Sequence, residues 1–297
     1  MPIKKKRSSK LFRTLKPYLM VAPGISLLLL FTYYPMFDMV YLSFFDYNLI
    51  TEKKFVGLEN YRRLLFVNVD FWNSLRNTAV FTVANVAFLI VFGLLLALWL
   101  QKSTKFNAMA QRLMYLPNFV SMLSVTLIFE WLMAENGVFN AVLKFFNMPG
   151  LRWLESSDTA LMSIIIISIW KGVGSQALLL LGTLNAIPEE INEAAALDNA
   201  KPLQRFFKIT LPMISPQLFY MVITNLMASF KVFESVRILT NGGPGNSTDV
   251  LVFYIYRYAF QSMKVGYASA AGCIMAVILM IFSIYYFRTL SKHVHYQ

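Results

Sequence analysis

Residues 78–100 read TAVFTVANVAFLIVFGLLLALWL. The stretch is 23 residues long and holds no Asp, Glu, Lys or Arg. A helix of that length reaches about 35 Å, and the hydrocarbon core of a bilayer is about 30 Å thick. A helix apolar on every face is stable only where lipid or other helices surround it. The segment therefore predicts a membrane-spanning helix.

Working outward, five more stretches pass the same length test. Upstream lies 18–39, and downstream lie 113–133, 160–181, 212–233 and 267–290. The expected fold is an all-α polytopic membrane protein with six transmembrane helices, a transmembrane domain over 18–290. Composition agrees. Hydrophobic residues make up 57% of the chain and charged residues 14%, whereas soluble domains carry about 25% charged residues.

Charge placement orients the bundle. Residues 1–17, MPIKKKRSSKLFRTLKP, hold seven Lys/Arg and no acid. The apolar stretch that follows is long enough to span, and no small-residue cleavage site comes after it. It reads as an uncleaved first helix rather than a signal peptide. Six spans place both ends on one side. The connections expected there carry Lys102, Lys105 and Arg112, then Lys201, Arg205 and Lys208, then Arg288 and Lys292. The opposite side mixes signs, as with Glu52 and Glu59 among their lysines and arginines. The positive-inside rule makes the N-terminus 1–17 and the tail 291–297 cytoplasmic. The expected location is the cytoplasmic membrane. Tyr33, Tyr34, Trp99, Trp131 and Tyr285 flank spans as interfacial belts do.

This placement accounts for the net charge of +12 without a nucleic-acid partner. One cysteine, Cys273, excludes an internal disulfide. The two histidines, His293 and His295, sit in the last five residues, so no metal cluster is expected. No GxxxxGK[ST] loop is present, and any ATP that drives the protein must bind another chain.

The connection between the fourth and fifth spans is the most informative. Residues 186–216 read AIPEEINEAAALDNAKPLQRFFKITLPMISP. Pro188 suits a first helical turn, and Glu189, Glu190 and Glu193 suit the positive helix end. Ala194, Ala195, Ala196 and Leu197 favour helix. Asn199 tolerates a left-handed turn and Pro202 prevents continuation. Local physics gives a short acidic, alanine-rich helix over 188–200 at the membrane surface, followed by a sharp turn. It leaves open whether this is a docking helix or an ordinary interfacial connection.

The pattern Glu193-Ala194-Ala195, Asp198-Asn199, Ile209-x-Leu211-Pro212 resembles the EAA loop of binding-protein-dependent ABC importer permeases. Asn199 stands where that family has glycine. The resemblance covers roughly 75–290 and implies the type I ABC importer permease fold. It implies that Glu190, Glu193, Ala194, Ala195, Leu197, Asp198, Asn199 and Ala200 couple to an ATPase. It also implies a second homologous permease subunit, two ATPase subunits holding ATP and Mg, and an extracytoplasmic solute-binding protein. This chain would hold no cofactor and perform no catalysis.

Residues 239–260, LTNGGPGNSTDVLVFYIYRYAF, demand an irregular outer turn at Gly242-Gly243-Pro244-Gly245, followed by an aromatic element. The run resembles carbohydrate-importer permeases, the first subunit of the maltose and glycerol-phosphate type. That implies a sugar cargo, an oligosaccharide or sugar derivative.

Ionisable residues inside spans are costly and mark function by default. Lys171 either lines a cavity or pairs with a carboxylate such as Glu130 or Glu234. Lys231 and Glu234 form either a pair one turn apart on one helix or part of a vestibule. Asn85, Gln176 and Asn225 suit hydrogen bonds between helices. By the resemblance, the sugar-contacting positions fall at Ser168, Lys171, Gly172 and Ser175, and at Ala228, Ser229 and Val232. Two other readings differ in class. An ion-coupled secondary transporter would show inverted repeats, and none is evident. A membrane enzyme would need a clustered acid, base or metal set.

Overall fold

The computed structural model describes residues 10–102 and 104–290. The first nine residues, the tail 291–297 and both histidines lie outside the described residues.

The chain begins with α1 (Lys10–Leu28), which passes through π-helical Leu29–Tyr33 into α2 (Tyr34–Leu42). A small hairpin follows, β1 (Phe45–Asp46) with β2 (Lys54–Phe55), antiparallel with Phe45 opposite Phe55. Then come α3 (Glu59–Phe66), α4 (Val69–Leu100), α5 (Lys105–Phe119), α6 (Met122–Leu132), α7 (Val138–Phe145) and α8 (Ala160–Asn185). The connection after α8 holds α9 (Glu189–Leu197), α10 (Pro202–Arg205) and α11 (Leu211–Met213). The remainder is α12 (Ser215–Phe230), α13 (Glu234–Leu239), α14 (Leu251–Tyr256) and α15 (Val265–Leu290). The hairpin is a small departure from an all-α reading.

Four stretches are long and apolar enough to cross a membrane: Leu15–Leu42, Val69–Leu100, Ala160–Asn185 and Val265–Arg288. They match the first, second, fourth and sixth expected spans. The third and fifth are each a bent pair of helices. Over 113–133, α5 and α6 meet at 103°. Where 212–233 was expected, Pro202–Met213 and Ser215–Leu239 meet at 65°. The first bend has a local cause. Pro117 lies in the last turn of α5, and Ser121 caps α6, its Oγ accepting from the Ser124 N–H at 3.2 Å.

Small residues set the helix crossings, as they do where lipid removes the hydrophobic drive between helices. α4 packs along α8 more extensively than any other pair. A Cβ at Gly93 would stand 3.2 Å from Gln176 Cβ, and a Cβ at Gly174 would stand 1.8 Å from the Met114 carbonyl oxygen of α5. α2 packs on α15, where a Cβ at Gly272 would meet the Met39 sulfur at 2.9 Å. Residues 15–37 are all exposed, and among the described residues the first span packs on the bundle chiefly through α2.

At one end of α4, the glycine-proline turn packs on the first helical turns. Asn77 Nδ2 donates to the Asn246 and Asp249 carbonyls at 3.0 and 3.1 Å, and the Leu251 N–H donates to Thr78 Oγ1 at 2.8 Å. Asp249 is buried and ion-paired with Arg257. Burial pushes its carboxyl up to about 7, against the pull of that guanidinium. The aromatic element is helical: Tyr254 lies tilted against Tyr258 and Tyr256 against Phe260, with ring centroids 4.5 and 5.4 Å apart. At the other end of α4, Leu100, Leu180, Leu184, Ile214 and Met221 form a buried cluster.

Candidate functional site

Two places gather the residues that the sequence singles out. The first is a cavity of about 520 Å³ between α4, the α5–α6 bend, α8, α12 and the start of α13. Ser168, Lys171, Gly172, Ser175, Ala228, Ser229 and Val232 all line it. Asn85, Asn118, Gln176 and Asn225 add amides, and Phe81 and Phe233 add rings. Asn118 is the lining amide that sequence reasoning missed. Its one available signal is that it follows the proline of a bent span.

The wall is held by hydrogen bonds between helices. Asn85 Nδ2 donates to Ser229 Oγ at 2.9 Å, joining α4 to α12. Asn225 Nδ2 donates to Gln176 Oε1 at 3.1 Å, joining α12 to α8. These are the contacts expected of Asn85, Gln176 and Asn225. Ser229 is therefore 3% exposed and spends its hydroxyl on Asn85, although it borders the cavity. Asn85 Oδ1 and Ser235 Oγ are buried without a protein partner, so the wall keeps unused polar capacity.

Lys171 pairs with neither carboxylate considered for it. Its ammonium donates to the Pro117 carbonyl at 3.0 Å and the Val120 carbonyl at 2.6 Å. The salt bridges among the described residues do not include it. Glu130 lines a separate cleft with Arg152 and Glu155. The shared helix face expected of Lys231 and Glu234 is also corrected. α12 stops at Phe230 and α13 starts at Glu234, so the two residues flank a break while both line the cavity.

The second place is α9. It starts one residue later than expected, with Pro188 as its cap at φ −57°, and ends at Leu197. Asp198 closes it and Asn199 adopts φ +51°, the left-handed turn that its side chain tolerates. Glu190, Glu193, Ala194, Leu197, Asp198 and Asn199 are exposed, with Leu197 at 84%. Ala195 is buried and Ala200 half-buried, so these two face the bundle. The exposed face of α9 thus carries one leucine among acids and alanines. The start of α9 and the turn bearing Lys102 and Lys105 border one groove of about 760 Å³. Glycine fits the Asn199 turn without strain. Asn199→Gly should therefore match or exceed the parent in thermal stability, while Asn199→Val should lower it by about 1–2 kcal/mol. Melting curves of the purified chain check both.

The family described as a binding-protein-dependent transport system inner membrane component matches residues 89–293. The chain belongs to this family. It is a multi-pass permease of an ATP-binding-cassette importer. Its sequence is 33% identical over 284 residues to the probable ABC transporter permease protein YesP of Bacillus subtilis, covering 94% of this chain and 92% of that protein. It is 33% identical to the sulfoquinovosyl glycerol transport system permease protein SmoG of Agrobacterium fabrum, covering 91% and 88%. Its fold is similar to a chain of a bacterial alginate ABC transporter solved with an alginate pentasaccharide-bound periplasmic protein. That match has a TM-score of 0.81 at 25% identity and covers 94% of this permease and 96% of that chain. The matches lend no support to the ion-coupled alternative.

Proposed function

We propose that this permease conducts a sugar, an oligosaccharide or sugar derivative, through the cavity between α4, α8 and α12 by alternating access. The supporting observation is the convergence of Ser168, Lys171, Gly172, Ser175, Ala228, Ser229 and Val232 on one cavity. Its amides, hydroxyls and ammonium match the hydroxyl groups of a sugar, and its rings match the apolar faces. A volume of about 520 Å³ falls within the range of ligand sites, about 300–1,000 Å³. The relatives named for sulfoquinovosyl glycerol and alginate point the same way.

In this reading the chain is half of the pathway, and a second homologous permease subunit closes the other side. The termini and α9 face the cytoplasm. α9 docks on one of two ATPase subunits, which hold ATP and Mg. An extracytoplasmic solute-binding protein delivers cargo at the opposite end, near the glycine-proline turn. The periplasmic protein bound to the alginate transporter supports that partner.

Ala228 is exposed to the cavity, so a large ring there fills the path without unpacking the bundle. Ala228→Trp should cut sugar uptake by reconstituted importer at least about tenfold, a barrier change of about 1.4 kcal/mol. Unstimulated ATP hydrolysis should stay near the parent value. Unchanged uptake by this variant would refute the path.

A further inference from the structure

The geometry points to Lys171 as a positioning residue: we propose that its ammonium clamps the broken span α5–α6 to α8 and so fixes one wall of the cavity. The last carbonyls of a helix have no partner within it. At the α5–α6 bend the Val120 carbonyl, at φ −77° and ψ 136°, leaves the helical ladder, while Pro117 O accepts only a 3.3 Å bond from the Val120 N–H. Within a membrane, non-helical backbone is tolerated only where protein donors or a water-lined cavity satisfy it, and this bend borders the cavity with protein donors in reach. Lys171 Nζ, 51 to 54 residues away in sequence, supplies two, at 2.6 and 3.0 Å. Its charge also sits at the negative end of the 15-residue α5.

One turn along α8, Gly174 lets the Met114 carbonyl approach to 1.8 Å of where a Cβ would be. The two residues thus pin α5 to α8 side by side, Gly174 by contact and Lys171 by hydrogen bonds. The other charged groups lining the cavity, Lys231 and Glu234, make no ion pair with Lys171. An ammonium has three protons. Two go to the elbow and the third is left for the cavity, so Lys171 borders the path without being first of all a cargo ligand.

This assignment concerns the cavity wall and holds whatever the cargo. The test uses the importer assembled with its cognate subunits in nanodiscs, in a Cys273→Ser background. Amide exchange is followed over residues 118–126, and a membrane-impermeant maleimide reads cavity access at Ser168→Cys. For Lys171→Met, exchange at the elbow should rise about tenfold, the cost of losing bonds to a charged donor. Exchange across α4 should not change. Maleimide labelling should rise at least threefold, and Lys171→Arg should restore both readings toward the parent. Parent-like elbow exchange and labelling in Lys171→Met would overturn the clamp. So would exchange that rises equally in α4 and α12, since that marks general loosening. Neither result bears on Ala228→Trp, so the clamp and the sugar path fail separately.

Discussion

A Gly174→Ala chain is expected to lose most of its thermal stability margin. The added Cβ would lie 1.8 Å from the Met114 carbonyl oxygen and 2.7 Å from its carbon. Both are backbone atoms, so no side chain can swing aside. α5 must retreat from α8, and the Lys171 bonds to Pro117 and Val120 stretch with it. Overpacking of this kind costs about 3 kcal/mol. That corresponds to a melting temperature lower by about 6–12 °C. Gly182 provides the control, because a Cβ there meets nothing within 4 Å. Gly182→Ala in the same helix should be neutral or stabilising by up to about 1 kcal/mol. Heating in detergent followed by size-exclusion chromatography reads both. Equal melting of Gly174→Ala and its parent would contradict the close crossing of α5 and α8.

Reversing charge on α9 should separate folding from transport. Glu193 and Asp198 are exposed and make no hydrogen bond to another element among the described residues. Glu193→Lys with Asp198→Lys should therefore leave melting within about 0.5 kcal/mol of the parent. If α9 docks on an ATPase, the same pair places like charges against the partner or removes attraction, costing several kcal/mol. Uptake should fall by about a hundredfold, and the ATPase should co-purify poorly. Full uptake with a normal complement of ATPase would remove α9 from the coupling role.

Much of this was legible in the sequence. Runs of apolar residues such as 78–100, with no charge, and 160–181, with Lys171 alone, need no tertiary information, because length and hydropathy are local properties. The short helix at α9 was legible for the same reason. Pro188, three glutamates, the alanine run and Asn199 each act within a turn of their own position, and Asn199 takes the expected left-handed conformation at φ +51°. The hydrogen bonds of Asn85 and Asn225 were legible in kind, since a buried amide must find a partner, although the partners Ser229 and Gln176 were not.

The rest depended on neighbours distant in sequence. The break between Phe230 and Glu234 contains no glycine or proline. Phe233 leaves the helical path at φ −145° and lies against Phe253 and Tyr256, and Val236 is fully buried with Phe81 and Ile164. Packing overrides a sequence that would otherwise continue the helix. Lys231 and Glu234 could therefore not be read as a helical pair.

The sequence alone determined that this chain crosses a membrane, which stretches do so, and where a short acidic helix interrupts them. Tertiary structure decided the break between Phe230 and Glu234, and that Lys171 holds the bend that Pro117 and Ser121 begin locally. The physical reason is the solvent. Apolar length is tested residue by residue against lipid. A helix can stop within the bilayer only where protein groups or a water-lined cavity satisfy its free carbonyls, and both are fixed by the packing of the whole bundle.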